Sequence, residues 1–376
     1  MLQAALKFVS KNSTLNKEID MNQAYKDLSE RWASLLKENP TLRIRNAAEI
    51  LGVSEAELVT LNQVEGKRVI RLNSNFKALL PAIEGLGPVM ALTRNNAMVH
   101  EKTGQYKGVS VHGNMGLALG VIDLRVFFTR FETGFAVTEE TAHGVRNSLQ
   151  FFDEFGEAVH KIYAVADTNM DAFTALVEEY RADAQIAPVS VSPKLEKDLL
   201  SIPEDLDIDG FEQGWSELKD VHHFQTLMKK HLLTRVPAYR AVKDEYAQAI
   251  DCSAFEAALE AARRSELSIM LFVGSPGVIQ IHTGQIHNLK RTGPWFNVLD
   301  KGFNLHADTT QIAHAWVVRK PTTDGIVTSL EVFDKNGEQL ALMFGERHNG
   351  ETEQAAWRAL IADLEEKYAL EEEAVV

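Results

Sequence analysis

The sequence predicts an α+β fold built by internal duplication, each half an antiparallel β-sheet with leading and closing helices. Two observations predict it. Segments recur in the same order about 180 residues apart, and within each copy alternating strand patterns joined by tight turns lie between helix-like stretches.

The strongest repeat sets Ser148-Leu-Gln-Phe-Phe-Asp-Glu-Phe-Gly-Glu157 against Ser329-Leu-Glu-Val-Phe-Asp-Lys-Asn-Gly-Glu338, identical at six of ten positions. Both read as a strand running into a Gly-containing hairpin turn. Upstream, Met90 to Thr103-Gly104 has a counterpart in Met270 to Thr283-Gly284, and Val121-Ile-Asp123 is matched to Val298-Leu-Asp300. Downstream, Ala172-Phe-Thr-Ala-Leu-Val177 recurs as Ala356-Trp-Arg-Ala-Leu-Ile361 on a helical pattern. Strands that follow one another through short turns imply antiparallel pairing. The expected organisation is an N-terminal extension at 1–20 that is poorly ordered, a first repeat at 21–182, a linker at 183–211 and a second repeat at 212–368. The linker rests on Ala187-Pro-Val-Ser-Val-Ser-Pro193 and Pro203-Glu-Asp-Leu-Asp-Ile-Asp-Gly210, which lack periodicity.

Composition narrows the function classes. The chain has 376 residues, 45% hydrophobic and 24% charged, a formal net charge of -14 and one cysteine, Cys252. That cysteine excludes an intrachain disulfide and a Cys-based metal cluster, and it suits a reducing compartment. The acidic balance disfavours nucleic acid and anionic lipid. No run approaches the roughly 20 apolar residues of a membrane span, and the opening Met1-Leu-Gln-Ala-Ala-Leu-Lys-Phe-Val lacks a secretory h-region. A cytoplasmic location without membrane insertion is expected. Ala47-Ala-Glu-Ile-Leu-Gly-Val-Ser-Glu-Ala-Glu-Leu58 has the outline of a DNA-binding helix-turn-helix, the remote alternative. Its second helix opens with Glu55 and Glu57, which suits a structural helix pair better. Gly274-Ser-Pro-Gly277 lacks the spacing and Lys of a phosphate loop, and neither a His-Glu-x-x-His zinc motif nor a serine-hydrolase elbow occurs.

Polar residues present in only one copy of a repeat are harder to explain by packing, so differences between the halves point to a site. Val221, Phe224, Leu227 and Met228 recur at helical spacing around His222 and His223, which align with Glu30 and Arg31 of the first half. His222 lies on the flank of that apolar stripe, within reach of a pocket. Its neutral imidazole is a competent iron ligand, although a surface or capping role is the commoner one for such a residue. In Val121-Ile-Asp-Leu-Arg-Val-Phe-Phe128, alternation sets Arg125 among apolar neighbours, against Gly302 in the second half. It calls for an anionic ligand or an ion pair with Asp123, and the two readings stand level. Arg319, Lys320 and Arg347 add donors suited to a carboxylate.

Several long motifs taken together resemble the HemS/ChuS family of bacterial cytoplasmic haem-utilisation proteins, also called haemin-degrading factors. They are Lys219-Asp-Val-His-His-Phe224, Ile269-Met-Leu-Phe-Val-Gly274, Gly293-Pro-Trp-Phe-Asn-Val-Leu-Asp300, Trp316-Val-Val-Arg-Lys-Pro-Thr-Thr-Asp-Gly325 and Ser329-Leu-Glu. The resemblance runs from Met21 to about residue 365 and implies haem b, held non-covalently, as ligand and substrate. It implies His222 as proximal iron ligand, Arg125 as the distal and catalytic group, Lys320 and Arg347 at the propionates or haem edge, and Phe127 and Phe272 as walls. Leu342 and Phe344 stand where some relatives carry Gln and Tyr. The function implied is haem-iron acquisition, with haem trafficking and oxidative degradation driven by an external electron donor. The alternative is a non-enzymatic carrier handing haem to a separate oxygenase. The partners implied are haem, a haem importer, a haem oxygenase or an electron-donating reductase.

Overall fold

The structure, a computed structural model, describes residues 23–61, 67–142, 144–185, 189–195, 197–348 and 350–370. The arm expected at 1–20 lies outside the described residues. The first repeat runs through α1 (23–38), α2 (Ile44–Leu51), α3 (Glu55–Thr60), β1 (Lys67–Leu72), α4 (Phe76–Ala82), β2 (Pro88–Arg94), β3 (Met98–Gln105), β4 (Ser110–His112), β5 (Met115–Ala118), β6 (Asp123–Phe127), β7 (Thr133–Thr141), β8 (Gly144–Phe152), β9 (Ala158–Ala164) and α5 (Met170–Glu179). The second runs through α6 (Ile208–Ser216), α7 (His223–Lys230), α8 (Arg235–Ala241), β10 (Ala247–Ile250), α9 (Ala254–Arg264), β11 (Ile269–Gly274), β12 (Val278–Gly284), β13 (Leu289–Thr292), β14 (Trp295–Asp300), β15 (Phe303–Asp308), β16 (His314–Thr322), β17 (Gly325–Phe333), β18 (Gln339–Gly345) and α10 (Ala355–Lys367).

Two nine-stranded antiparallel sheets result, ordered β1-β7-β8-β9-β2-β3-β15-β14-β13 and β10-β16-β17-β18-β11-β12-β6-β5-β4. The orders are the same under exchange of the repeats, so the duplication is structural. Each sheet takes its last three strands from the other repeat. The expected boundary between repeats therefore does not separate the sheets: β4, β5 and β6 of the first repeat complete the sheet of the second. A close approach permits this join. Phe127 donates its backbone N–H to Gly277 O (2.8 Å), and a Cβ on Gly277 would lie 2.8 Å from Arg130 Cβ and Val159 Cγ1.

Three expectations need correction. Residues 183–211 were expected to be linker throughout, but α6 begins inside them at Ile208 because the Asp207 side chain accepts the Gly210 N–H and caps the helix. Arg125 was set against Gly302, whereas its structural counterpart is His306: Arg125 pairs with Ile279 on β12, and His306 pairs with Val99 at the equivalent place on β3. The match of Val121-Ile-Asp123 to Val298-Leu-Asp300 misled, because an apolar-apolar-Asp tripeptide does not identify its strand and Val298 belongs to β14. His222, expected on the flank of the apolar stripe and near the interior, stands at the start of α7 with its side chain exposed.

One face of the second sheet is closed by α9 and α10 over Leu271, Val273, Val317, Leu330, Val332 and Met343, with Trp357 at the centre. On the other face α6, α7 and α8 cover only β10, β16 and β17, through Phe211, Trp215, Phe224, Tyr239, Trp316, Val318 and Phe333. Burial of each such aromatic side chain contributes about 2–3 kcal/mol. The two helices of the helix-turn-helix look-alike, α2 and α3, form a structural pair: Ser54 and Glu57 make a capping box, and Glu55 is buried.

Candidate functional site

The half-covered face of the second sheet positions the candidate residues. Cross-strand register puts Trp316, Glu331, Leu342, Phe272, Ile281 and Asp123 in one row from β16 to β6. Flanking rows carry Val318, Ser329, Phe344, Met270 and Thr283 on one side, and Gly274, Ile279, Arg125 and Leu117 on the other. Met270, Phe272, Leu342, Phe344, Ile279, Arg125 and Phe127 are all only half-buried, whereas their strand neighbours Leu271, Val273, Met343, Leu124 and Val126 are fully buried. Phe272 and Phe344 meet edge to face with centroids 5.2 Å apart. From β17 to β6 this floor spans four strand spacings, about 19 Å.

His222 stands at the rim, where α7 begins. Its side chain is 87% exposed, and its Nδ1–H donates to Asp220 Oδ1 (2.6 Å), the oxygen that also accepts the His222 backbone N–H (2.8 Å). Nε2 is left outward. The loop that carries it is pinned to the sheet, since Trp215 Nε1–H donates to Arg319 O (2.8 Å) and Thr323 N–H donates to Lys219 O (3.2 Å). The Asp220 carboxyl is held below its usual range, chiefly by the His222 backbone N–H.

Arg125 and Phe127 share the outward face of β6, so the first repeat supplies the far side of the floor. The Arg125 guanidinium is ion-paired with Asp123, the partner that the sequence offered as the alternative to a ligand. Arg347 follows β18 and lies 3.9 Å from Asp324 in the β16–β17 turn, at the same end of the sheet as the His222 loop. Arg319 is turned away, its Nη2 donating to Glu365 of α10 at 2.6 Å.

Lys320 departs from the expectation of an available cation. It is buried, its Nζ donates to Glu331 Oε1 (2.7 Å), and the ammonium lies 4.9 Å from the Phe224 ring centroid. Glu331 also accepts from Tyr239 Oη (2.5 Å) and Arg235 Nη1 (3.1 Å). Burial raises the Glu331 pKa, but Lys320 and Arg235 outweigh it and hold the group at about 2. This network under α7 was missed in the sequence, although Glu331 sits in the recurring Ser-Leu strand, where alternation turns it inward. Asp220 was missed too; a carboxylate two residues before a candidate ligand was its available signal.

The equivalent face of the first sheet has different chemistry. Phe272, Gly274, Leu342, Phe344, Ile281, Arg125 and Phe127 are matched there by Leu92, Arg94, Lys161, Tyr163, Glu101, His306 and Asp308. Glu55 of α3 reaches into it and pairs with both Arg94 and Lys161. An apolar floor has become a charged one. His306 is itself engaged, sharing a 2.7 Å hydrogen bond between its Nδ1 and Asn297 Oδ1.

Comparison with known proteins agrees with this duplicated architecture. The haemin-degrading HemS.ChuX domain matches residues 52–180 and 233–364, one stretch in each repeat. The chain belongs to this family. It is 41% identical over 343 residues to the hemin transport protein HmuS of Yersinia pestis, covering 90% of this chain and 97% of that protein. Among solved structures it resembles holo-PhuS, a heme-binding protein from Pseudomonas aeruginosa, with 44% identity, TM-score 0.87, and 92% and 99% of the two chains covered. It also resembles the heme degrading enzyme ChuS of Escherichia coli O157:H7, with 36% identity, TM-score 0.84, and 90% and 99% coverage. Like these family members, the chain has two antiparallel sheets with helices and an internal duplication. Among the described residues, no helix is long and apolar enough to cross a membrane.

Proposed function

We propose that this protein binds haem on the half-open face of the second sheet and serves haem-iron utilisation in the cytoplasm, by oxidative degradation with electrons from a partner reductase. The observation that carries the reading is the pairing of an apolar, half-exposed floor with a rim histidine whose Nε2 points outward and whose Nδ1 is anchored. An amphipathic macrocycle with two carboxylates needs that combination: flat apolar contact, a nitrogen donor and cations at the margin. The names of the relatives, hemin transport, heme binding and heme degrading, agree with it.

In this reading His222 offers Nε2 to the iron. Phe272, Phe344, Leu342, Met270 and Phe127 exclude water from one side of the ring. Arg125 has donors left beyond the one given to Asp123 and would offer them to a small ligand of bound haem. Arg347 neutralises a propionate. Lys320 reaches a propionate only by giving up Glu331, so its contribution is to hold α7 in place. Bound haem would supply the redox chemistry itself; the chain orients it and presents hydrogen-bond donors.

A second reading, reversible carriage to a separate oxygenase or from an importer, is favoured by the 87% exposure of His222, which leaves the ligand open to exchange. Haemin titration of the wild type and His222→Ala, followed at the Soret band, tests binding. An unchanged affinity and spectrum in the variant would sink the site. Supplying an electron donor with catalase present, then analysing the tetrapyrrole, separates the two readings: ring-opened product supports degradation and intact haem supports carriage.

A further inference from the structure

The carboxylate beneath His222 does more than cap a turn. Asp220 Oδ1 accepts two hydrogen bonds from one residue, the His222 backbone N–H at 2.8 Å and the ring Nδ1 at 2.6 Å. An ionised carboxylate only accepts, so the ring nitrogen facing it carries the proton. That leaves the Nε2 lone pair free and aimed at solvent. Asp220 is itself held, because its carbonyl oxygen accepts the His223 N–H (3.1 Å) and its neighbour Lys219 is bonded to Thr323. Among the described residues the adjacent His223 ring has no hydrogen-bond partner, so the carboxylate prepares one of two neighbouring histidines and not the other.

We propose that Asp220 is the positioning residue of the haem ligand: it selects His222 over His223, fixes the Nδ1–H tautomer and pushes electron density onto Nε2, biasing the site toward ferric haem. This rests on the reading of His222 as the axial ligand. A ring N–H donated to a carboxylate makes the opposite nitrogen more basic, and a more basic donor stabilises the higher charge on iron.

The test begins without haem. Nitrogen-15 spectra of the apoprotein are expected to show His222 as the Nδ1–H tautomer, reverting to Nε2–H in Asp220→Ala; an Nε2–H tautomer in the wild type would overturn the proposal. Ferric haemin affinity is then expected to fall about 10- to 100-fold in Asp220→Ala, with a smaller loss for ferrous haem. Each tenfold difference between the two losses raises the midpoint potential by ~59 mV. Asp220→Asn keeps an oxygen to cap the backbone N–H but removes the charge, so its potential should rise while its melting temperature holds. Potentials and ferric affinities equal to wild type in both variants would mean that Asp220 only shapes the loop, and would overturn the proposal. If His222→Ala retains wild-type haemin affinity, the ligand reading and the iron bias fall together, while the tautomer result stands by itself.

Discussion

Arg125 on β6 and Ile279 on β12 stand opposite each other across the strand pair that joins the two repeats, so a cation from the first repeat lies on the half-open face of the second sheet. The exchange of three-stranded units brings it there. The two sides of the floor thus come from different repeats, held in one sheet by backbone hydrogen bonds.

Arg125→Ala is expected to fold normally, because a half-exposed ion pair contributes only about 0–1 kcal/mol. Haemin affinity should change less than in His222→Ala, while the sixth-position ligand changes. Visible spectra of the ferric complex across pH check this, and a spectrum identical to wild type would remove Arg125 from the site.

Glu331→Ala leaves the buried Lys320 ammonium without its partner and should destabilise the protein by about 3–5 kcal/mol. Replacing both Lys320 and Glu331 by Met should recover part of that loss, since the Lys320 ammonium is no longer stranded while Arg235 and Tyr239 still lose their acceptor. Urea denaturation of the three proteins reads the difference. Lys320→Met alone should lose stability rather than haemin affinity; the opposite result would restore Lys320 as a propionate contact.

Acid should weaken the fold in two stages. Burial pushes the His160 and His282 imidazoles down to about 3, against about 6.5 when unfolded. The unfolded chain therefore binds more protons, and stability falls as pH drops below about 6.5. Glu331 and Glu55, both held at about 2 in the folded chain by buried cations, add a loss as pH falls from about 4.5 toward 2. Melting temperature measured against pH checks the sign and both windows; a flat profile from pH 7 to 3 would contradict them.

Haem binding is expected at one equivalent per chain. At the first sheet's equivalent face, Lys161 replaces Leu342 and Arg94 replaces Gly274, and Glu55 ties both down, so a flat apolar ring meets buried charge. A titration that ends at two equivalents, or a His222→Ala protein that keeps one tight site, would refute this.

The repeat of Ser148-Leu-Gln in Ser329-Leu-Glu, together with strand alternation and helical spacing, made the duplicated antiparallel fold legible, because the two periodicities are local properties of the chain. The candidate ligand His222 was legible as a break in the duplication, and the apolar anchors around it as a helical stripe. Its exposure was not, because a helix start is set by a local turn in which Asp220 accepts two N–H groups.

By itself, then, the sequence determined the fold class, the two copies and the residues on which they differ. Only the tertiary structure decided that β4 to β6 cross into the other sheet, that Arg125 answers to His306 and that Lys320 is consumed by Glu331. Strand partners and ion pairs depend on distances between residues far apart in the chain, and no local pattern records these.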